Sequence, residues 1–221
     1  MLRSNQKEIL RKHIADHLAS EAANSLLDIG AGDGKVSVDL RADVSDYLAV
    51  EKHAGSAKRL KILGLPVKEG QFPCELSREF DVVLVSHSLP EDFQKLDRFI
   101  KSAWNVTAQG GVLIIISFKG GAGTISKISE FIWGKAHIHD SYYFSCLLAG
   151  VSKLGTPKLE RFLSRFSAGS IEELVNLISG NLAVELGSPE RLAIQNYVQE
   201  FCKNGPEYYI DCEHTCISLR K

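Results

Sequence analysis

The sequence has almost no net charge: 26 lysines and arginines stand against 27 aspartates and glutamates, leaving −1 over 221 residues. A global basic field that would draw in a phosphate backbone is therefore absent, and nucleic acid is a disfavoured partner. There is no C-x-x-C pair, and the five cysteines, an odd number, stand at 74, 146, 202, 212 and 216. That usage speaks against a disulfide framework and predicts reduced thiols in a cytoplasmic setting. No apolar run has membrane-spanning length. The longest, Gly111 to Phe118, is far short of the roughly 20 residues a span requires. The opening stretch MLRSNQKEILRKHIADHL carries charge and a helical period where a secretory signal would have an apolar core. Internal repeats and low-complexity segments are missing as well. What remains is an ordinary composition, 44% apolar and 24% charged, expected to bury one large core without disulfide or metal staples.

Strand and helix patterns alternate along the first half. Residues 5–22 read as an amphipathic helix with Asn5 as cap, Glu8 in capping-box position, and Ile9, Leu10, Ile14 and Leu18 on one face. Short apolar runs at 25–29, 47–51, 65–68, 80–85 and 112–117 predict strands, with helices at 35–41 and 54–63 and from Phe93 to Trp104, which Gln109-Gly110-Gly111 ends. Strands alternating with helices of this length predict βαβ units, a parallel sheet and an α/β fold. After residue 118 the rhythm changes. Residues 119–169 show no convincing strand and gather Phe131, Trp133, His137, His139, Tyr142, Tyr143 and Phe144, which predicts a helical insertion over one end of the sheet. Ser170 caps a further helix to Ile178, residues 182–186 are a candidate strand, and Tyr208 to Leu219 predicts a closing edge or antiparallel strand.

The sharpest feature is Leu27-Asp28-Ile29-Gly30-Ala31-Gly32-Asp33-Gly34 between the first strand and first helix. Glycines at alternate positions let the backbone turn sharply and let a ligand approach where a Cβ would collide. The spacing is G-x-G-x-G instead of the G-x-G-x-x-G of dinucleotide sites, and Asp28 and Asp33 give the loop an acidic setting that suits a cationic ligand. Glu51 ends the second strand, at the spacing of about 20 residues where a carboxylate accepts ribose hydroxyls in nucleotide-binding α/β folds.

With these two elements, residues 25–118 resemble the class I S-adenosylmethionine-dependent methyltransferases. LLDIGAGDG is similar to the family's first motif, AVEKH to its acidic second-strand motif, VKEGQF to the region after strand three, FDVVLVSHSL to the fourth-strand motif and GGVLIIIS to the fifth strand. The resemblance implies a Rossmann-like three-layer sandwich, mostly parallel with an antiparallel C-terminal strand and a helical insertion after strand five. It implies one domain over 1–221, divided into a leading helix (1–24), a cofactor-binding core (25–118), a substrate cap (119–169) and sheet-closing elements (170–221). S-adenosyl-L-methionine is the implied cofactor. Asp28, Gly30, Ala31 and Gly32 would border its methionine moiety, Glu51 its ribose hydroxyls, Lys52 or His53 an edge of the adenine, and Gly70, Gln71 and Phe72 the adenine itself. Ser86 and His87 would stand beside the sulfonium and the incoming substrate. A histidine titrates near neutrality, about 6.5, so His87 suits the removal of an acceptor proton; contact with substrate and a structural role are the other readings.

The implied acceptor is a small molecule, methylated at nitrogen or oxygen. Ser86-His87-Ser88-Leu89 stands where amino-methylating nucleic-acid and glutamine enzymes carry Asn/Asp-Pro-Pro-Tyr/Phe, no Pro-Cys nucleophile for carbon methylation is present, and the aspartate metal ligand of catechol-type enzymes is replaced by serine. No metal is expected; the alternate histidines of His137-Ile138-His139-Asp140 lack a second ligand cluster. The chain layout also resembles, faintly, small-molecule enzymes of the histamine N-methyltransferase type. Competing readings are methylation of tRNA or protein, for which Lys153, Lys158, Arg161 and Arg165 would be the basic patch, a regulatory module that holds the cofactor without turnover, and a nicotinamide-dependent oxidoreductase.

Overall fold

Three runs of β-branched and leucine residues, Leu26–Ile29, Val82–Val85 and Val112–Ile116, are buried throughout, as central strands of a parallel sheet must be. The computed structural model describes residues 3–90, 92–118, 123–134, 138–182 and 184–221. In chain order its elements are β1 (Arg3–Ser4), α1 (Gln6–Ser20), β2 (Ser25–Ile29), α2 (Ser37–Ala42), β3 (Asp46–Glu51), α3 (Ala54–Ile62), β4 (Val67–Glu69), β5 (Phe80–Ser86), α4 (Leu96–Asn105), β6 (Thr107–Phe118), α5 (Thr124–Trp133), α6 (Ile138–Ser152), β7 (Lys158–Ala168), α7 (Ile171–Asn181), α8 (Pro189–Phe201), β8 (Lys203–Asn204) and β9 (Glu207–Arg220). Among the described residues these strands form one mixed sheet in the order β1-β7-β9-β6-β5-β2-β3-β4, with β8 beside β9.

The chain forms two compact units. One comprises Lys7–Ser117, Ser145–Arg161 and Thr215–Lys221. Here β2 pairs in parallel with β3 on one side (Leu27 opposite Leu48) and with β5 on the other (Leu27 opposite Val83), β3 pairs with β4, and β5 pairs with β6 (Leu84 opposite Ile114). Chain order reverses between β2 and β5, and the crevice outside the carboxyl ends of strands at such a switch point is where open α/β sheets bind ligands. Helix α4 buries Leu96, Phe99, Ile100 and Ala103, and α1 buries Leu10, Ile14 and Leu18.

The second unit comprises Met1–Gln6, Phe118–Phe144 and Phe162–His214. Its core gathers Ile128 of α5, Leu174 and Ile178 of α7, Ile194 and Val198 of α8, and Ile210 of β9. Ser170 Oγ accepts the Glu173 N–H at 3.3 Å, the cap the sequence predicts. His214 is buried against the Phe162 ring, with Ser164 Oγ 2.7 Å from its Nε2, and burial pushes its imidazole down to about 4.

Several local expectations change. Residues 158–168, read as part of a helical insertion, are strand β7; exposed Leu159 and Leu163 on one face and Glu160 and Ser164 on the other break the apolar alternation that signals a strand. Gly110 and Gly111 do not stop a helix: α4 ends at Asn105 and the glycines lie inside β6, where they exchange backbone hydrogen bonds with Lys221. Helix α8 was not anticipated, although Ser188 and Pro189 carry the start signal and Ser188 Oγ accepts the Arg191 N–H. Among the described residues of 182–186 there is no strand. Asn5 uses its side-chain oxygen on the Arg165 N–H, and Phe93 sits half-exposed in a short 3₁₀ turn before α4. Lys153, Lys158 and Arg165 are engaged with Asp97, Glu160 and Asp211, which dissolves most of the candidate basic patch. His137 lies outside the described residues, as do the side chains of residues 138–141. No helix among the described residues is long and apolar enough to cross a membrane.

Gly111 packs so closely on β5 that an added Cβ would stand 2.6 Å from the Asp81 carbonyl oxygen and 2.9 Å from that of Ala108. Both obstacles are backbone. Gly111→Ala is expected to destabilise the chain by about 1–3 kcal/mol, read as a lower urea midpoint; an unchanged midpoint would show that β6 has room to shift.

Candidate active site

The glycine loop leaves β2 through three residues with positive φ: Gly30 (+79°), Gly32 (+61°) and Gly34 (+77°). Two of the three are also sterically enforced. A Cβ on Gly30 would lie 2.2 Å from Ser88 Cβ, and one on Gly34 would lie 2.8 Å from Leu60 Cδ2. Gly32 differs, because a Cβ there would meet nothing nearer than the Gly30 carbonyl oxygen at 4.0 Å. The loop therefore packs tightly on the segment after β5 at Gly30 and presents open space at Gly32.

Glu51, at the end of β3, is 3% exposed. One carboxylate oxygen accepts the Gly32 N–H at 2.9 Å and the other accepts the His53 N–H at 2.8 Å. The Gly70 N–H bonds the Glu51 carbonyl, drawing the loop after β4 to the same point. Ser88 donates its hydroxyl to the Ile29 carbonyl, tying the segment after β5 to the end of β2. His87, between them, adopts φ +52°, a left-handed conformation uncommon outside glycine and found where surrounding contacts over-determine the backbone. Its N–H is held by the Ile116 carbonyl at 2.9 Å.

These elements enclose a cavity of about 510 Å³. Of the residues expected at the site, Gly30, Gly32, Glu51, Lys52, His53, Gly70, Gln71, Phe72 and His87 are on its wall. Asp28, Ala31 and Ser86 are not. Asp28 turns into the core, where one carboxylate oxygen accepts hydrogen bonds from Ser37 Oγ (2.7 Å) and the Tyr47 hydroxyl (2.8 Å). Burial holds its pKa above the ordinary carboxylate range, against those two hydrogen bonds. Asp33 is engaged by Lys7 Nζ at 2.7 Å. The acidic loop thus aims neither aspartate at the cavity, and the carboxylates on its wall are Glu51 and Asp92. Phe72 is buried and packs edge-on against Phe99 of α4, centroids 5.1 Å apart.

The strand-end residues Ile29 and Val50 also line the cavity, and Ser88, Leu89, Pro90, Asp92, Lys95 and Phe99, which the sequence did not single out for the site, complete the wall. The signal of these six was positional: they follow the carboxyl end of the strand beside the switch point, where α/β sheets place binding loops.

Gly30→Ala is expected to lower stability by about 1–3 kcal/mol through the Ser88 clash and the positive φ; wild-type stability by urea unfolding would mean that Ser88 yields. Asp28 gives a pH signature. Its folded pKa lies above the unfolded value of about 3.9, so its contribution to stability is complete below that value and is lost as pH rises through the folded pKa. The unfolding free energy of the wild type relative to Asp28→Asn should fall as pH rises across that window. A constant or opposite difference would contradict the assignment.

Residues 27–115 match the family model described as methyltransferase domain. Among curated proteins none matches the sequence. Among solved structures, a protein assigned as a methyltransferase from Bacillus halodurans superposes with TM-score 0.63 at 15% identity, over 94% of this chain and 98% of that one. The N-methyltransferase NodS from Bradyrhizobium japonicum in complex with S-adenosyl-L-homocysteine gives TM-score 0.56 at 14% identity, covering 97% of this chain and 87% of that one. An O-methyltransferase from Bacillus cereus, also in complex with S-adenosylhomocysteine, gives 0.54 at 11% identity, over 96% and 81%. The chain shares their Rossmann-like fold. The matched stretch contains the glycine loop, Glu51 and the strand that ends before His87, so that residues 27–115 are similar to the methyltransferase-domain family in the segment that builds the cavity.

Proposed function

We propose that the chain transfers a methyl group from S-adenosyl-L-methionine to a nitrogen or oxygen of a small-molecule acceptor, with the cofactor seated in the cavity between the glycine loop and the segment after β5. The observation that carries this reading is Glu51, a buried carboxylate on the cavity wall that braces the Gly32 and His53 amides. A carboxylate offers about four acceptor sites, and these two amides take only two of them. The remainder is the acceptor capacity that a ribose diol requires. Gly32 admits the chain of the ligand without a Cβ, Lys52 and His53 lie past the end of β3, and Gly70, Gln71 and Phe72 form the wall proposed for the adenine. Asp28, Ala31 and Ser86 act at one remove, by holding the loop and strand ends. The N- and O-methyltransferases among the structural relatives support these two acceptor atoms.

When bound, S-adenosylmethionine would supply an electrophilic methyl group on a sulfonium sulfur, passed in line to the acceptor with S-adenosylhomocysteine as the leaving group. The work of the protein is alignment. His87, exposed at the cavity and held by its backbone bond to Ile116, takes the proton from an acceptor that arrives protonated. Near-neutral charge and the ion-paired basic residues favour a metabolite over RNA.

Calorimetric titration is expected to give binding of S-adenosylhomocysteine and none of NADH. Glu51→Ala should weaken binding about 10- to 100-fold, through loss of charge-assisted hydrogen bonds worth about 1.5–3 kcal/mol. Gly32→Val should abolish it by filling the open space above the loop. NADH binding in place of S-adenosylhomocysteine, or wild-type affinity in both variants, would overturn the reading. His87→Ala should retain S-adenosylhomocysteine affinity while kcat falls about 10²- to 10⁴-fold; an unchanged kcat would assign His87 a structural role.

A further inference from the structure

The first unit contains a second cluster of chemistry-bearing side chains that shares no wall residue with the glycine-loop cavity. His13 and His17 are four residues apart on α1, and so lie one turn apart on the same face. That face meets the first residues of β7 and the last residues of β9, which bring Glu160 and Cys216 alongside. His13 Nε2 is 3.5 Å and His17 Nε2 is 3.4 Å from the same oxygen of Glu160, and Cys216 Sγ is 3.7 Å from His17 Nε2. Ligand atoms of His13, His17 and Cys216 all lie within 4.8 Å of one another.

These separations have a geometric meaning. A tetrahedral zinc ion binds nitrogen and oxygen at about 2.0–2.1 Å and sulfur at about 2.3 Å, which puts its ligand atoms about 3.3–3.6 Å apart. The distances of 3.4, 3.5 and 3.7 Å match three edges of that tetrahedron, His17–Glu160, His13–Glu160 and His17–Cys216, and the atoms that all gather within 4.8 Å are those of His13, His17 and Cys216. Imidazole nitrogen, thiolate sulfur and carboxylate oxygen are each zinc donors. Lys158 Nζ holds the other Glu160 oxygen at 2.6 Å, so the carboxylate keeps one oxygen facing the two histidines; such outer contacts orient metal ligands. His13, His17 and Glu160 line a cavity of about 290 Å³, which gives an ion a path from solvent, while Cys216 is buried behind them.

We propose that His13, His17 and Cys216, with Glu160 facing the two histidines, form a site for one zinc-type divalent cation, a structural centre that ties α1 to the adjoining ends of β7 and β9. The ligands come from one helix and two strands far apart in the chain, which fits a staple between those elements. The sequence concealed it, because only the two histidines are neighbours; the carboxylate and the thiol arrive from strands far along the chain.

The test uses the full chain, purified, stripped with chelator and titrated first with cobalt and then with zinc. One cobalt per chain is expected, with tetrahedral visible bands and a thiolate-to-cobalt charge-transfer band, both displaced by one equivalent of zinc. Zinc should raise the unfolding midpoint of the stripped protein. Cys216→Ser should lose the charge-transfer band, and it and His17→Gln should each weaken zinc binding by at least about 100-fold. His13→Gln, at a half-buried helix position, gives the same affinity reading where Cys216→Ser fails to fold; a cooperative unfolding transition without metal identifies the variants that do fold. Absence of stoichiometric cobalt binding, or binding unchanged by both histidine substitutions, would overturn the proposal and leave the cluster as two histidines sharing a glutamate.

Discussion

The site depends on one buried carboxylate. Taking Glu51 out of water costs several kcal/mol unless donors meet it, and the donors that do are the backbone N–H groups of Gly32 and His53. Those amides point inward because the glycine loop turns through positive φ and because the chain bends out of β3 into α3. Glycine loop and carboxylate therefore require each other. Without the turn, Glu51 would keep only the His53 amide; without Glu51, the Gly32 amide would lose the acceptor that holds it beneath the cavity.

The position of this pair follows from strand order. With β3 and β5 on opposite sides of β2, the loops leaving β2 and β5 diverge above the sheet and open a crevice. The crevice is narrow at Gly30, where Ser88 leaves no room for a Cβ, and open at Gly32. Charge is distributed by the same geometry. Asp28 is drawn into the core by Ser37 and Tyr47, and Asp33 is turned outward to Lys7. The loop that looks acidic in sequence thus offers a ligand little of its own charge, and the electrostatics of the cavity come from strand ends and the segment after β5.

The parallel half of the sheet was legible because its strands are buried on both faces and its helices carry one apolar stripe. The glycine loop and Glu51 were legible because only a close approach demands alternate glycines followed by an acidic strand end at that spacing. The rest was hidden for physical reasons. Strand β7 carries charge on an exposed face and lacks the continuous apolar run of its neighbours. Gly110 and Gly111 read as a stop, whereas they give the close approach of β6 to β5 and to the C-terminal residue. Asp28 stands two positions before Gly30, yet strand alternation and two hydroxyl donors turn it into the core. The wall contributed by Ser88, Asp92 and Phe99 depends on where the chain goes after β5, which local pattern does not encode. His13, His17, Glu160 and Cys216 converge only through tertiary structure.

The most direct measurement of the central claim is a crystal structure of the protein with S-adenosylhomocysteine. The account predicts the ribose hydroxyls within hydrogen-bond distance of Glu51, the adenine along Gly70 to Phe72, and the sulfur facing the His87 side of the cavity. A ligand bound elsewhere, or a ribose that leaves Glu51 bonded only to Gly32 and His53, would contradict it.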